Sequence, residues 1–132
     1  AEQDFSCELK DLAAAIRTVA STLSRTLNKD GDVVTRPLHF RLHSGDGELH
    51  VEAPADALSG AQTVLKVDVA KGLGAGAVVI GQNPMNLLNV LRALDAAGGG
   101  DARVRVRTRG PIQPWLLTSG SATALAMPMR VD

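Results

Sequence analysis

Pro114-Trp115-Leu116-Leu117-Thr118-Ser119 and Leu125-Ala126-Met127-Pro128-Met129-Arg130-Val131 form the stretch on which the reading of this chain turns. Two apolar runs flank a turn of small residues around Gly120, Ser121 and Ala122, the pattern of a β-hairpin. The second arm runs into a Met-Pro-Met-Arg tip. Thioether side chains adapt to irregular partners, Pro128 fixes its own backbone, and Arg130 supplies one permanent positive charge. Such a tip suits docking better than bond-breaking chemistry.

Working outward, residues 103–108 alternate Arg with Val and read as a strand. Before it, Asn83-Pro84 is a cap and first-turn pair that opens a helix, Leu87, Leu88, Leu91 and Leu94 are its apolar stripe, and Gly98-Gly99-Gly100 closes it. Residues 77–80 form the strand ahead of that helix. The first half has the same order. A strand over 5–9 leads into a helix striped by Leu12, Ile16, Val19 and Leu23. A polar loop over 28–36 follows, then alternating strands over 38–42 and 49–52 joined by Ser44-Gly45-Asp46-Gly47, and a third strand over 63–69. Residues 54–60 and the glycine-broken 71–76 are connections.

The chain is therefore a strand-helix-three-strand unit used twice, over about 4–70 and 77–131 of a single domain spanning 1–132. The expected fold class is α+β, with two helices side by side on one face of antiparallel sheets.

At 132 residues and 45% hydrophobic content the chain can bury a real core. Its aromatics are only Phe5, Phe40 and Trp115, so aliphatic side chains must fill most of that core. Burial is the expected fate of Trp115. Fourteen basic and fourteen acidic residues cancel, so net charge demands neither nucleic acid nor a membrane. Cys7 stands alone, which rules out an internal disulfide and a cysteine-based zinc site and fits a reducing compartment. With no run of about 18 apolar residues and no charged-then-apolar leader, a cytoplasmic location is expected.

The residues an enzyme would need are not assembled. His39, His43 and His50 lie opposite an apolar strand face with no cysteine or carboxylate cluster to complete a metal shell, and read as solvated. Gly72-Leu73-Gly74-Ala75-Gly76 leads into a strand, the wrong context for a phosphate loop. Ser119 and Ser121 sit in no nucleophile elbow, and the acids are scattered. Neither enzyme activity, metal nor cofactor is expected. Arg103, Arg105, Arg107 and Arg109 share one strand face by period-two spacing and are candidate phosphate contacts. Lys10, Arg17, Arg25 and Arg92 are a second basic surface, on or beside the helices.

The doubled unit and the ending together resemble the third, C-terminal domain of the bacterial DNA polymerase III β subunit, the sliding clamp. Residues 9–19 look like its opening helix, Gly47-Glu48-Leu49 its first hairpin, and Asn83-Pro84 with Leu87-Leu88 its second helix. Leu116-Leu117-Thr118-Ser119 through Met127-Pro128-Met129-Arg130-Val131 is the most specific match. The resemblance implies a pocket for short hydrophobic peptides of polymerases and other clamp-binding proteins. Its lining here would be Met127, Pro128, Met129 and Arg130, with Leu125 and Pro114 beside them and Asn83 at the edge.

Three positions depart from the clamp pattern. Asn86 stands where the second helix commonly has an aromatic, residues 54–63 lack the usual acidic character, and Ala20-Ser21-Thr22 replaces apolar interface contacts. The last two changes weaken a head-to-tail ring contact. One such unit cannot encircle DNA, and clamp-like third domains also occur on MerR-type helix-turn-helix regulators. The leading expectation is a non-catalytic peptide-binding module with a parental role in replication. The alternatives are a ligand- or peptide-sensing domain of a transcription regulator, and direct nucleic-acid contact through Arg103 to Arg109. Partners would be hydrophobic peptide motifs or a peptide-like small molecule, with DNA met only indirectly, no membrane, and self-association if a ring forms.

Overall fold

The computed structural model describes residues 2–23, 26–27, 29–31, 33–34, 36–54, 61–71, 79–98 and 102–129. Strand β1 (Gln3–Glu8) runs directly into helix α1 (Leu9–Ala20), whose stripe Leu9, Leu12, Ala13, Ile16 and Val19 is buried at helical spacing. Ser21 ends the helix, so Leu23 packs against the core from beyond it instead of extending its stripe. β2 (Thr26–Leu27), just ahead of the expected polar loop over 28–36, pairs as a two-residue ladder with β3 (Val33–Val34) inside it. Strands β4 (Leu38–His43), β5 (Glu48–Glu52) and β6 (Gln62–Lys66) then form an antiparallel meander.

Sequence alternation suggested one strand over 63–69; the structure divides it. β6 ends at Lys66, Val67 turns inward and is buried, and β7 (Asp68–Lys71) pairs with β1 in the other sheet. The Val67 N–H donates to the Gly47 carbonyl at 2.9 Å, which anchors this crossing to the β4–β5 turn. The remaining residues of the glycine-broken loop, and residues 77 and 78 of the next strand, lie outside the described residues.

The second half follows with β8 (Val79–Gln82), α2 (Pro84–Ala97), β9 (Arg103–Thr108), β10 (Trp115–Ser119) and β11 (Ala122–Ala126). Asn83 caps α2 by accepting the Asn86 N–H at 3.1 Å, and Pro84 occupies the first turn, where its missing N–H costs nothing. β11 stops at Ala126, so Met127 and Pro128 of the expected second hairpin arm lie beyond the strand. The two larger sheets run β11-β10-β9-β1-β7 and β6-β5-β4-β8. Each half therefore sends its opening strand into the other half's sheet: β1 pairs with β9, and β8 with β4. Each helix lies against the last strand of its own three, α1 on β6 and α2 on β11, and the helices also touch each other.

All three aromatics meet in the core. Trp115 is 1% exposed, with Phe40 edge-on at 5.1 Å and Phe5 at 6.3 Å between ring centroids. Phe5 and Trp115 come from one sheet and Phe40 from the other, so this cluster couples the two. Cys7 is buried in the same core, and desolvation pushes its thiol up to about 12. We expect a thiol reagent at pH 8 to leave folded protein almost unlabelled and to modify it fully in denaturant. Rapid labelling without denaturant would contradict this packing.

Candidate functional site

The chain beyond β11 crosses from the edge of one sheet to the edge of the other. The Met129 N–H donates to the Gly81 carbonyl at 2.8 Å, an isolated antiparallel bridge to β8. Three residues earlier, the buried Gln82 amide donates to the Ala126 carbonyl at 3.4 Å. Met127 and Pro128 are thus held between two fixed points. Met127 is 66% exposed, while Pro128 and Met129 are half-buried. Gly81 precedes the α2 cap, which brings Asn83 to this tip, and the exposed Asn86 lies one turn further on. Arg130 lies outside the described residues.

Exposure alternates through Leu125, Ala126 and Met127 at 60%, 6% and 66%, so Leu125 and Met127 share the open side. Leu125 is the cross-strand partner of Leu116, Leu116 of Arg107, and Arg107 of Asp4, giving one row across the outer face of the five-stranded sheet. A pocket of about 380 Å³ opens over this row, with Pro114, Leu116 and Leu125 lining it beside Arg107, Thr108 and Arg109. Glu2, Gln3, Asp4 and Gln113 complete the lining, so most of its residues are polar or charged, with Pro114, Leu116 and Leu125 as its apolar strip.

The structure therefore gathers Pro114 and Leu125 in the pocket and Asn83, Met127, Pro128 and Met129 at the adjoining tip. It adds Leu116 and Arg107, which sequence reasoning assigned to a strand and to a phosphate track. Their period-two relation to Pro114 and Arg109 was visible, but the register that places Leu116 beside Arg107 was not.

The arginine strand is not a uniform cationic rail. Arg103 donates to Asp68 at 2.6 Å and to Ser6 Oγ at 3.4 Å, and Arg105 grips Asp4 with two bonds of 2.9 and 2.6 Å. That pairing with Asp4 raises the Arg105 pKa. Arg107 and Arg109 make no ion pair among the described residues. A duplex held by two phosphate contacts would lose only about twelvefold in affinity between 50 and 200 mM salt, a weak footprint for dedicated DNA binding. Of the second basic group, Lys10, Arg17 and Arg92 line a depression of about 270 Å³ between the helices, together with Asp95, while Arg25 lies outside the described residues.

The histidines differ from the solvated expectation. His43 and His50 are half-buried and stacked, with ring centroids 3.9 Å apart. Gln62 Nε2 lies 2.8 Å from His50 Nδ1, and Glu48 lies 3.4 Å from the other ring nitrogen. Hydrogen bonds from Lys66 and His50 hold the Glu48 carboxyl below its usual range. Among the described residues no group of three potential ligands could hold a metal ion. No helix among them is long and apolar enough to cross a membrane.

Comparison with solved structures places this architecture. The sliding clamp of Caulobacter crescentus superposes with a TM-score of 0.73 at 20% identity, covering 98% of this chain and 30% of the clamp. The β subunit of Pseudomonas aeruginosa polymerase III gives 0.73 at 22% identity over 97% of this chain, and that of Thermotoga maritima 0.73 at 13% over 98%. The Pseudomonas clamp has also been solved bound to griselimycin. This chain spans about 30% of the length of these clamps. No protein-family model matches the sequence, and no curated protein matches it.

Proposed function

From the fold of one sliding-clamp domain, we propose that residues 1–132 are a single non-catalytic recognition unit that binds short hydrophobic peptides at the C-terminal tip and the pocket beside it. The parental role is that of a replication processivity factor, acting in the cytoplasm. The observation that carries this reading is the tethering of the tip. Gly81 and Gln82 hold residues 126–129 from either side, so the exposed Met127 is presented on an ordered backbone, in line with Leu125. An apolar patch fixed in this way loses little entropy when a ligand settles on it. Arg130, at the end of the tip, belongs to the same proposed site, with Asn83 and Asn86 as its polar edge.

The test is a fluorescence anisotropy titration with a labelled clamp-binding peptide. Saturable binding is expected, weakened at least about tenfold in Met127→Ala, because covering a methionine side chain is worth about 1.5–3 kcal/mol. Both Met127 and Leu125 are exposed, so their alanine variants should keep the fold. No saturation at high micromolar protein, or full affinity in both variants, would remove the reading.

A further inference from the structure

All three methionines of the chain lie on the tip or close to its anchor. Met127 and Met129 flank Pro128, and Met85 stands in the first turn of α2, four residues after the Gly81 that captures Met129. Met127 is 66% and Met85 59% exposed, while Met129 is half-buried. The remaining sulfur is in the opposite condition. Cys7 is buried in the core, and desolvation keeps it in the unreactive thiol form. Trp115, which oxidants also attack, is 1% exposed. An oxidant arriving from solvent therefore meets thioethers first, and one of them belongs to the exposed apolar patch of the tip.

We propose that Met127 is a reversible oxidation site, and that its conversion to the sulfoxide by hydrogen peroxide releases a ligand held at the tip. In this step a sulfur lone pair takes one oxygen of the peroxide and the O–O bond breaks. The departing hydroxide leaves as water with the proton of the transferred oxygen. Sulfur loses two electrons and the peroxide gains them. The sulfoxide is polar and chiral, and an apolar ligand would bury its acceptor oxygen without a donor. Met127 lies beyond β11 and takes no part in the core, so the cost falls on binding and not on folding. Ligand release rests on the peptide-binding reading above, whereas the order of oxidation does not.

The experiment treats the protein with hydrogen peroxide, removes the oxidant with catalase, and reads each site by peptide mass and affinity by anisotropy. The probe is a fluorescein-labelled clamp-binding peptide free of Met, Cys and Trp. A gain of one oxygen is expected at Met127 and Met85 well before Met129, with Cys7 unmodified. Affinity should fall about tenfold in the unaltered protein and in the control Met85→Leu, with an unchanged thermal midpoint. The two stereospecific methionine sulfoxide reductases, supplied with dithiothreitol, should restore it as the dithiol closes to a disulfide and the oxygen leaves Met127 as water. Treated and untreated Met127→Leu should bind equally. The reductase arm needs no substitution and decides the case in which leucine itself alters binding. Oxidation of Cys7 ahead of Met127, an unchanged affinity once Met127 is fully oxidised, or the same loss in Met127→Leu overturns the proposal. No binding by the untreated protein overturns the peptide reading and ligand release with it, while the masses still decide the oxidation site.

Discussion

Replacing Trp115 by alanine is expected to lower the unfolding free energy by about 4 kcal/mol, a large part of the 5–15 kcal/mol available to a domain of this size. Trp115 is the largest fully buried side chain, and it alone touches both phenylalanines in edge-on geometry. Alanine would open a cavity between the two sheets and forfeit both aromatic contacts. Trp115→Phe should cost less than about 2 kcal/mol, because the indole N–H has no hydrogen-bond partner among the described residues and its removal relieves an unmet donor. Urea denaturation at constant m-value reads both numbers. Equal losses in the two variants would show that ring volume and the indole N–H do not govern this site.

The second large effect concerns a residue with an ordinary backbone. Gly98 has φ of −79°, so alanine is conformationally permitted there, and at a helix end it would ordinarily help by up to about 1 kcal/mol. Space decides otherwise. A Cβ on Gly98 would stand 2.7 Å from the Leu94 carbonyl oxygen and 2.7 Å from that of Ser119. Both are main-chain atoms, one in the last turn of α2 and the other at the end of β10, and neither moves without displacing its element. Gly98→Ala should therefore destabilise by about 2–3 kcal/mol, the range for overpacking a tight interior. A lowered thermal midpoint with faster amide exchange at the α2 C-terminus is the expected signature. An unchanged or raised midpoint would mean that helix and strand are less closely apposed than described.

Much of this fold was legible where a local signal carried it. β9 fell on its expected bounds and β10 within the run from Pro114 to Ser119, because turn residues flanked both and alternation in β9 was strict. α2 was bounded by Asn83-Pro84 and Gly98, whose roles are set by backbone chemistry within one turn. Val67 was not legible, since alternation continues through it while the chain changes sheets, and only the tertiary hydrogen bond to Gly47 marks the crossing. The end of β11 was overrun for a similar reason. Pro128 has no N–H to give, and Met129 is captured by the opposite sheet at Gly81. At the candidate site, Met127 and Met129 were proposed from the composition of the tip. The contribution of Leu116 and Arg107 depended on cross-strand register, and the pairing of Arg105 with Asp4 on residues about a hundred positions apart, which no short window contains.

The exchange of opening strands between the halves has a consequence for how the chain acquires its structure. Gln3 is matched with Thr108, and Leu38 with Gln82, so neither sheet can be completed from one half alone. Within this unit β1 is synthesised ahead of its partners, meets β7 only after some sixty further residues, and must wait for β9 to gain its second neighbour. The early chain is thus a strand with open sides tethered to a helix, and closure requires contacts of high sequence separation, which slow folding. Assembly is expected to be a late, concerted event with no stable half-molecule along the way. The same interlock should make the finished unit slow to open, since freeing one half strips a strand from each sheet at once.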